Sequence, residues 1–146
     1  MTDHPAHEPA RTAAIDFRNE LLERGWPDDR RVAELSGKAS DPEASTYAGQ
    51  ARARGALLGV WSVQLQGFVY PDFQFDHLGA IRKDIAALLA VLPGDNDHNG
   101  WRRTFWLYSP HALLDGQPPA DVFPDSPMRV IKVAQVEFRG DPDAAW

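Results

Sequence analysis

The chain of 146 residues has no cysteine. It therefore has no disulfide framework, no thiol nucleophile, no zinc ribbon and no iron–sulfur cluster held by thiolates, and its stability has to come from packing. Long hydrophobic runs are missing as well. No stretch approaches the roughly 20 apolar residues of a membrane span, and the first eleven residues hold no apolar core of a signal sequence, so the expectation is a cytoplasmic protein that does not engage a membrane. Positive charge is in deficit: 15 basic against 21 acidic residues leave −6, with a pI near 5.2. Divided after Ala80, the chain carries 8 − 12 = −4 and then 7 − 9 = −2. Neither half is a basic arm, so any contact with nucleic acid must be local.

Aromatic residues are plentiful, with five Trp, seven Phe and three Tyr in a 43% hydrophobic composition. That is enough apolar area for a real core in a single domain, or in two small ones sharing a core. Residues 1–11 read as a disordered tail, because Pro5 and Pro9 stand among polar residues with nothing to bury. Ile15, Phe17, Leu21 and Leu22 recur at helical spacing and predict a helix over 12–24, closed by Gly25. A short helix over 28–35 and another over about 43–54, with Pro42 in its first turn, surround the glycine-containing turn at Gly37. Leu57–Trp61 and Gly67–Tyr70 bracket a polar turn and predict a β-hairpin, and Pro71–Phe75 reads as an extended edge segment.

In the second half, Ile81, Ile85, Leu88, Leu89 and Leu92 form one apolar helix face ended by Pro93-Gly94. Helices at 101–107 and from Ser126-Pro127 to Phe138 follow, separated by short capped turns. The expected core of this half is Ile85, Leu88, Leu89, Phe105, Leu113, Val130, Ile131 and Phe138. The fold class is thus mostly α. A winged helix-turn-helix-like module spans 12–79, a compact helical domain spans 80–140, and 141–146 form a C-terminal tail.

Catalytic and cofactor signatures are absent. There is no GxxxxGK[ST], no GxGxxG, no nucleophile elbow and no metal-ligand histidine spacing stronger than His4 and His7 in the tail. Asp95-Asn96-Asp97-His98-Asn99-Gly100 matches the first half of an EF-hand loop, but position 12 is Trp106, where calcium needs a bidentate Glu. The expectation is a binding protein without cofactor or metal. In the helix-turn-helix reading, Ser45, Thr46, Gln50, Arg52 and Arg54 are the residues placed to reach bases or phosphates. Residues 28–55 hold five acids and five bases, net zero, where a reader of DNA normally shows a basic face.

The run from Trp106 to Phe123, Trp-Leu-Tyr-Ser-Pro-His-Ala-Leu-Leu-Asp-Gly-Gln-Pro-Pro-Ala-Asp-Val-Phe, preceded by Ala87–Pro93, resembles the toxin-binding domain of the Xre/MbcA/ParS antitoxins of bacterial type II toxin–antitoxin systems. A tryptophan helix, a Pro-capped turn, a Leu-Leu-x-Gly-x-x-Pro segment and a final helix with Val and Ala recur over about residues 80–138, and residues 26–76 resemble the DNA-binding part of some members. The resemblance implies an antitoxin that neutralises a RES-domain toxin, an NAD-degrading enzyme encoded beside it, and that represses its own operon as a homodimer. It points to Trp106, Ser109, Pro110, Leu113, Leu114, Gly116 and Pro119 as toxin contacts. Lys132 and Arg139 are placed to pair with acids on a partner's rim, and Trp146, beside Asp141 and Asp143, is a candidate aromatic anchor. The alternative expectation is a free-standing DNA-binding regulator whose C-terminal part only dimerises.

Overall fold

A computed structural model describes residues 7–94 and 97–139. Among them the protein is mostly helical, with one small antiparallel sheet. The order is α1 (His7–Leu22), α2 (Asp29–Leu35), α3 (Ala44–Ala53), β1 (Val60–Ser62), β2 (Gly67–Val69), α4 (Ile85–Val91), α5 (Trp101–Leu107), α6 (Pro119–Val122) and α7 (Pro127–Ala134). Single 3₁₀ turns occupy Asp72–Gln74 and Ala112–Leu114, and α7 runs on as a π-turn over Gln135–Arg139.

Local chemistry accounts for most boundaries. α1 starts at His7, five residues before the expected Thr12, because Pro9 falls in the first turn, where the backbone N–H has no helical partner to lose. Asp28 caps α2 by accepting the Arg31 N–H at 2.9 Å. The helix ends in a Schellman motif: Gly37 takes φ +73°, its N–H bonds Glu34 O at 3.1 Å, and the Lys38 N–H bonds Ala33 O at 2.7 Å. Pro42 lies in the turn, outside the helix, since α3 begins only at Ala44. In the hairpin, Val60 pairs with Val69, Trp61 with Phe68 and Ser62 with Gly67.

Three expectations are corrected. The 71–75 segment is a 3₁₀ turn and no edge strand: Phe73 is buried, and the buried Gln74 amide bridges Leu58 N at 2.7 Å, Leu58 O at 2.9 Å and Pro71 O at 3.0 Å. α4 begins at Ile85 because Ile81 is held in a bridge to Phe75 and the Arg82 N–H bonds Gln74 O at 2.8 Å. Leu113 points outward while Leu114 is fully buried, and Phe105 and Phe138 are half-buried.

The main core crosses the chain's midpoint. Leu58, Val60, Val69 and Phe73 pack in one cluster with Ile85, Leu88, Leu107, Leu114, Phe123, Val130 and Ala134. A smaller cluster of Val32, Ala48, Ala51, Leu57 and Tyr70 fixes α2 and α3 to the base of the hairpin. The hairpin is also locked onto α5. Trp101 Nε1 donates to Trp61 O at 2.9 Å, and the Trp61 N–H bonds Asn99 O at 3.1 Å. Gly100, at φ +94°, lies so close that a Cβ there would meet Gly59 O at 2.0 Å.

Candidate functional site

Helical periodicity divides α3 into a buried side, an outer face and two flanks. Ala44, Ala48 and Ala51 face α2, and their small size lets the two helices approach closely. Thr46, Gly49, Gln50 and Ala53 make the opposite face, which is open to solvent apart from the half-buried Gly49 and is itself uncharged, with the exposed Glu43 at its N-terminal end. Gln50 Nε2 donates to Thr46 Oγ1 at 3.3 Å, so the face presents an amide in a fixed position among groups no larger than threonine. Ser45 is exposed at the margin nearest the hairpin.

Arg52 does not join that exposed face. Its guanidinium lies 3.8 Å from the centre of the Phe68 ring, and its Nη1 donates to the Tyr70 hydroxyl at 2.9 Å. Tyr70 in turn donates to Asp29 Oδ1 at 2.6 Å. Burial, with the bond to Asp29 adding to it, pushes the Tyr70 phenol well above its ordinary pKa and keeps it a neutral donor. The chain Arg52–Tyr70–Asp29 thus ties α3, β2's end and the start of α2 together. Arg54 sits on the other flank of α3, exposed. Beside it Tyr47, Arg54 and Lys83 line a depression of about 210 Å³ that the 81–84 segment closes from below. Lys83 and Tyr70 escape a reading based on periodicity, since neither is adjacent in sequence to what it faces.

Arg30, Arg31 and Arg82 are paired with acids. Arg30 and Arg31 reach Glu34 at 3.4 and 3.1 Å, and Arg82 holds Asp84 in a two-pronged bond of 2.9 and 3.0 Å that keeps the Arg82 guanidinium above its usual pKa. The hairpin tip, Val63-Gln64-Leu65-Gln66, is exposed and has no charge.

In the C-terminal half the expected contact residues separate. Leu114 and Pro119 are buried in the core and present nothing to a partner. Trp106 is half-buried, donating Nε1 to Glu137 at 3.1 Å, and the same carboxylate meets His111 Nε2 at 2.6 Å. Ser109 Oγ is spent on Phe105 O at 2.5 Å. Pro110, Leu113, Gly116 and Lys132 are exposed. The Arg139 side chain and Trp146 lie outside the described residues, as do His4, Asp95 and Asn96. Asp97 gives its carboxylate to Arg103 at 2.7 and 2.9 Å, and among the described residues no three His, Asp or Glu side chains gather as a metal site. No described helix is long and apolar enough to cross a membrane.

No family model matches the sequence, and no curated protein matches it. Among solved structures, an NMR structure of Rv2175c is similar in fold, with a TM-score of 0.61 and 25% sequence identity over 78% of this chain and 82% of that one.

Proposed function

We propose that the protein binds double-stranded DNA, with α2, the Gly37 turn and α3 acting as a helix-turn-helix and the β1–β2 hairpin as its wing. The observation that carries this reading is the face formed by Thr46, Gly49, Gln50 and Ala53: small, uncharged and supported from behind by α2. A ten-residue helix is about 15 Å long and enters a major groove about 12 Å wide when its outer face is slim. Gln50 then matches the N6/N7 edge of adenine, and the methyl groups of Thr46 and Ala53 match the thymine methyl. Binding is salt-sensitive in proportion to the phosphates contacted, and with a net charge of −6 no broad basic field adds to it.

The test is selection of a preferred duplex from a random pool, followed by fluorescence anisotropy. Gln50→Ala should cost about 1–3 kcal/mol at an A·T position of the selected site and relax the preference there. Failure to enrich any sequence, or an unchanged preference in Gln50→Ala, refutes the reading.

A second reading keeps the antitoxin role for the C-terminal half. It is favoured by an apolar stripe in which Met128 and Val136, 70% and 52% exposed, flank Lys132 along α7 and its π-turn. Leu113, 57% exposed, adjoins it, its carbonyl accepting from Arg129 at 3.3 Å. A stripe of this kind suits a protein partner such as a RES-domain toxin. Co-expression with the product of the adjacent reading frame tests it: the chain restores growth and Met128→Glu with Val136→Glu does not. No toxicity from that product, or full rescue by the double variant, removes this role.

A further inference from the structure

We propose that Lys38, Arg54 and Lys83, gathered round Tyr47 on the flank of α3 away from the hairpin, form a clamp for the phosphodiester backbone of bound DNA. This rests on the DNA-binding reading and adds to it where the electrostatic grip lies. The first support is elimination. Arg30, Arg31, Arg52 and Arg82 are engaged by Glu34, by Tyr70 and Phe68, and by Asp84, whereas Lys38, Arg54 and Lys83 have no ion pair among the described residues; Arg18 and Arg24 are also without one but lie elsewhere, Arg18 beside Trp101 and Phe105 and Arg24 over Tyr108. The second is placement. Arg54 and Lys83 line one depression with Tyr47, and Lys38 Nζ stands 5.9 Å from the centre of the same tyrosine ring. The third concerns the acids nearby: Asp84, next to Lys83, is held by Arg82, whereas Asp41 and Glu43, exposed at the entry to α3, have no ion pair among the described residues, and the three cations outnumber them.

The clamp explains how a chain of net −6 holds a polyanion. Arg54, one turn from Gln50, stands on the rim of the uncharged face, so a phosphate strand lying in the depression sets the register in which α3 meets base edges. The wing contributes none of this charge, because its tip is Val63-Gln64-Leu65-Gln66. One cation of the three, Lys83, comes from the segment leading into α4, so the second half of the chain takes part in DNA binding directly.

The experiment measures affinity of the full chain for its selected duplex between 50 and 200 mM salt. Each phosphate contact adds about 0.9 to the slope of log affinity against log salt. Arg54→Ala with Lys83→Ala should therefore lower the slope by about 2, so that the fourfold rise in salt weakens the wild type about tenfold more than the variant. Base preference should stay as in the wild type. Arg129→Ala with Lys132→Ala changes net charge equally on a distant face and should leave the slope alone. A wild-type slope in the Arg54/Lys83 variant, or an equal fall in the Arg129/Lys132 control, overturns the clamp alone. Absence of wild-type binding to any duplex overturns the DNA reading with it.

Discussion

Replacing Gly100 by alanine isolates the contact that holds the hairpin to α5. Two costs arise. A non-glycine residue at φ +94° carries a left-handed penalty of about 1–2 kcal/mol. The new Cβ also stands 2.0 Å from Gly59 O and 3.0 Å from Gly59 C, and because both are backbone atoms no side-chain rotation relieves the overlap. The 97–100 loop and the base of the hairpin have to separate, and forced shifts of this kind in packed regions cost about 1–3 kcal/mol. The sum is about 2–5 kcal/mol. Gly55 supplies the control, with φ +77° and no atom within 4 Å of its virtual Cβ, so Gly55→Ala carries the first cost only. Urea unfolding of both variants, compared at equal m-value, measures the difference. If Gly100→Ala destabilises by no more than about 0.5 kcal/mol beyond Gly55→Ala, the hairpin is not seated on the 97–100 loop.

Tyr70→Phe removes the hydroxyl shared by Arg52 and Asp29 and should cost about 1–3 kcal/mol in thermal or urea melts, with the cost of Arg52→Ala much reduced in that background. Additive effects in the double-mutant cycle would show that the three groups are not coupled. Asp76 accepts the N–H groups of Leu78 and Ala80 at 2.9 and 3.0 Å, and these bonds hold its carboxyl below the usual range. A depressed folded-state pKa contributes stability that is complete above the ordinary carboxylate value near 4 and is lost as pH falls through the folded value. Stability of the wild type should therefore fall more steeply below about pH 4 than that of Asp76→Asn, and parallel acid limbs would contradict the assignment.

Features set by neighbouring residues were readable from the sequence, and features set by distant ones were not. Gly37 as a stop and the β-formers on either side of 62–66 act within a few residues, so α2, its turn and the hairpin are legible, with Asp28 standing as the cap just outside α2 and not as its first residue. Pro71–Phe75 alternates as a strand would, yet the backbone curls because Gln74 has to reach Leu58, 16 residues away. Leu113 and Leu114 are chemically identical, and only the 3₁₀ turn capped by His111 decides which faces inward. For the candidate site, the sequence groups Ser45, Thr46, Gln50, Arg52 and Arg54 on one helix but does not separate an uncharged face from its basic flanks. The diversion of Arg52 and the arrival of Lys83 were not legible, since the first depends on Phe68 and Tyr70 and the second on how the 81–84 segment folds back beneath Tyr47.

The core that runs from Val60 and Val69 to Val130 and Ala134 has a consequence for inheritance. A half that completes its own interior can be exchanged between proteins as a cassette, because the seam it leaves is already wet. Here the seam would pass through buried valines on one side and the inner face of α7 on the other, so grafting either half onto a foreign partner exposes apolar surface on both. Change on the outer face of α3 and change on the outer face of α7 therefore accumulate in one indivisible scaffold, each free to diversify only while the residues between them stay matched.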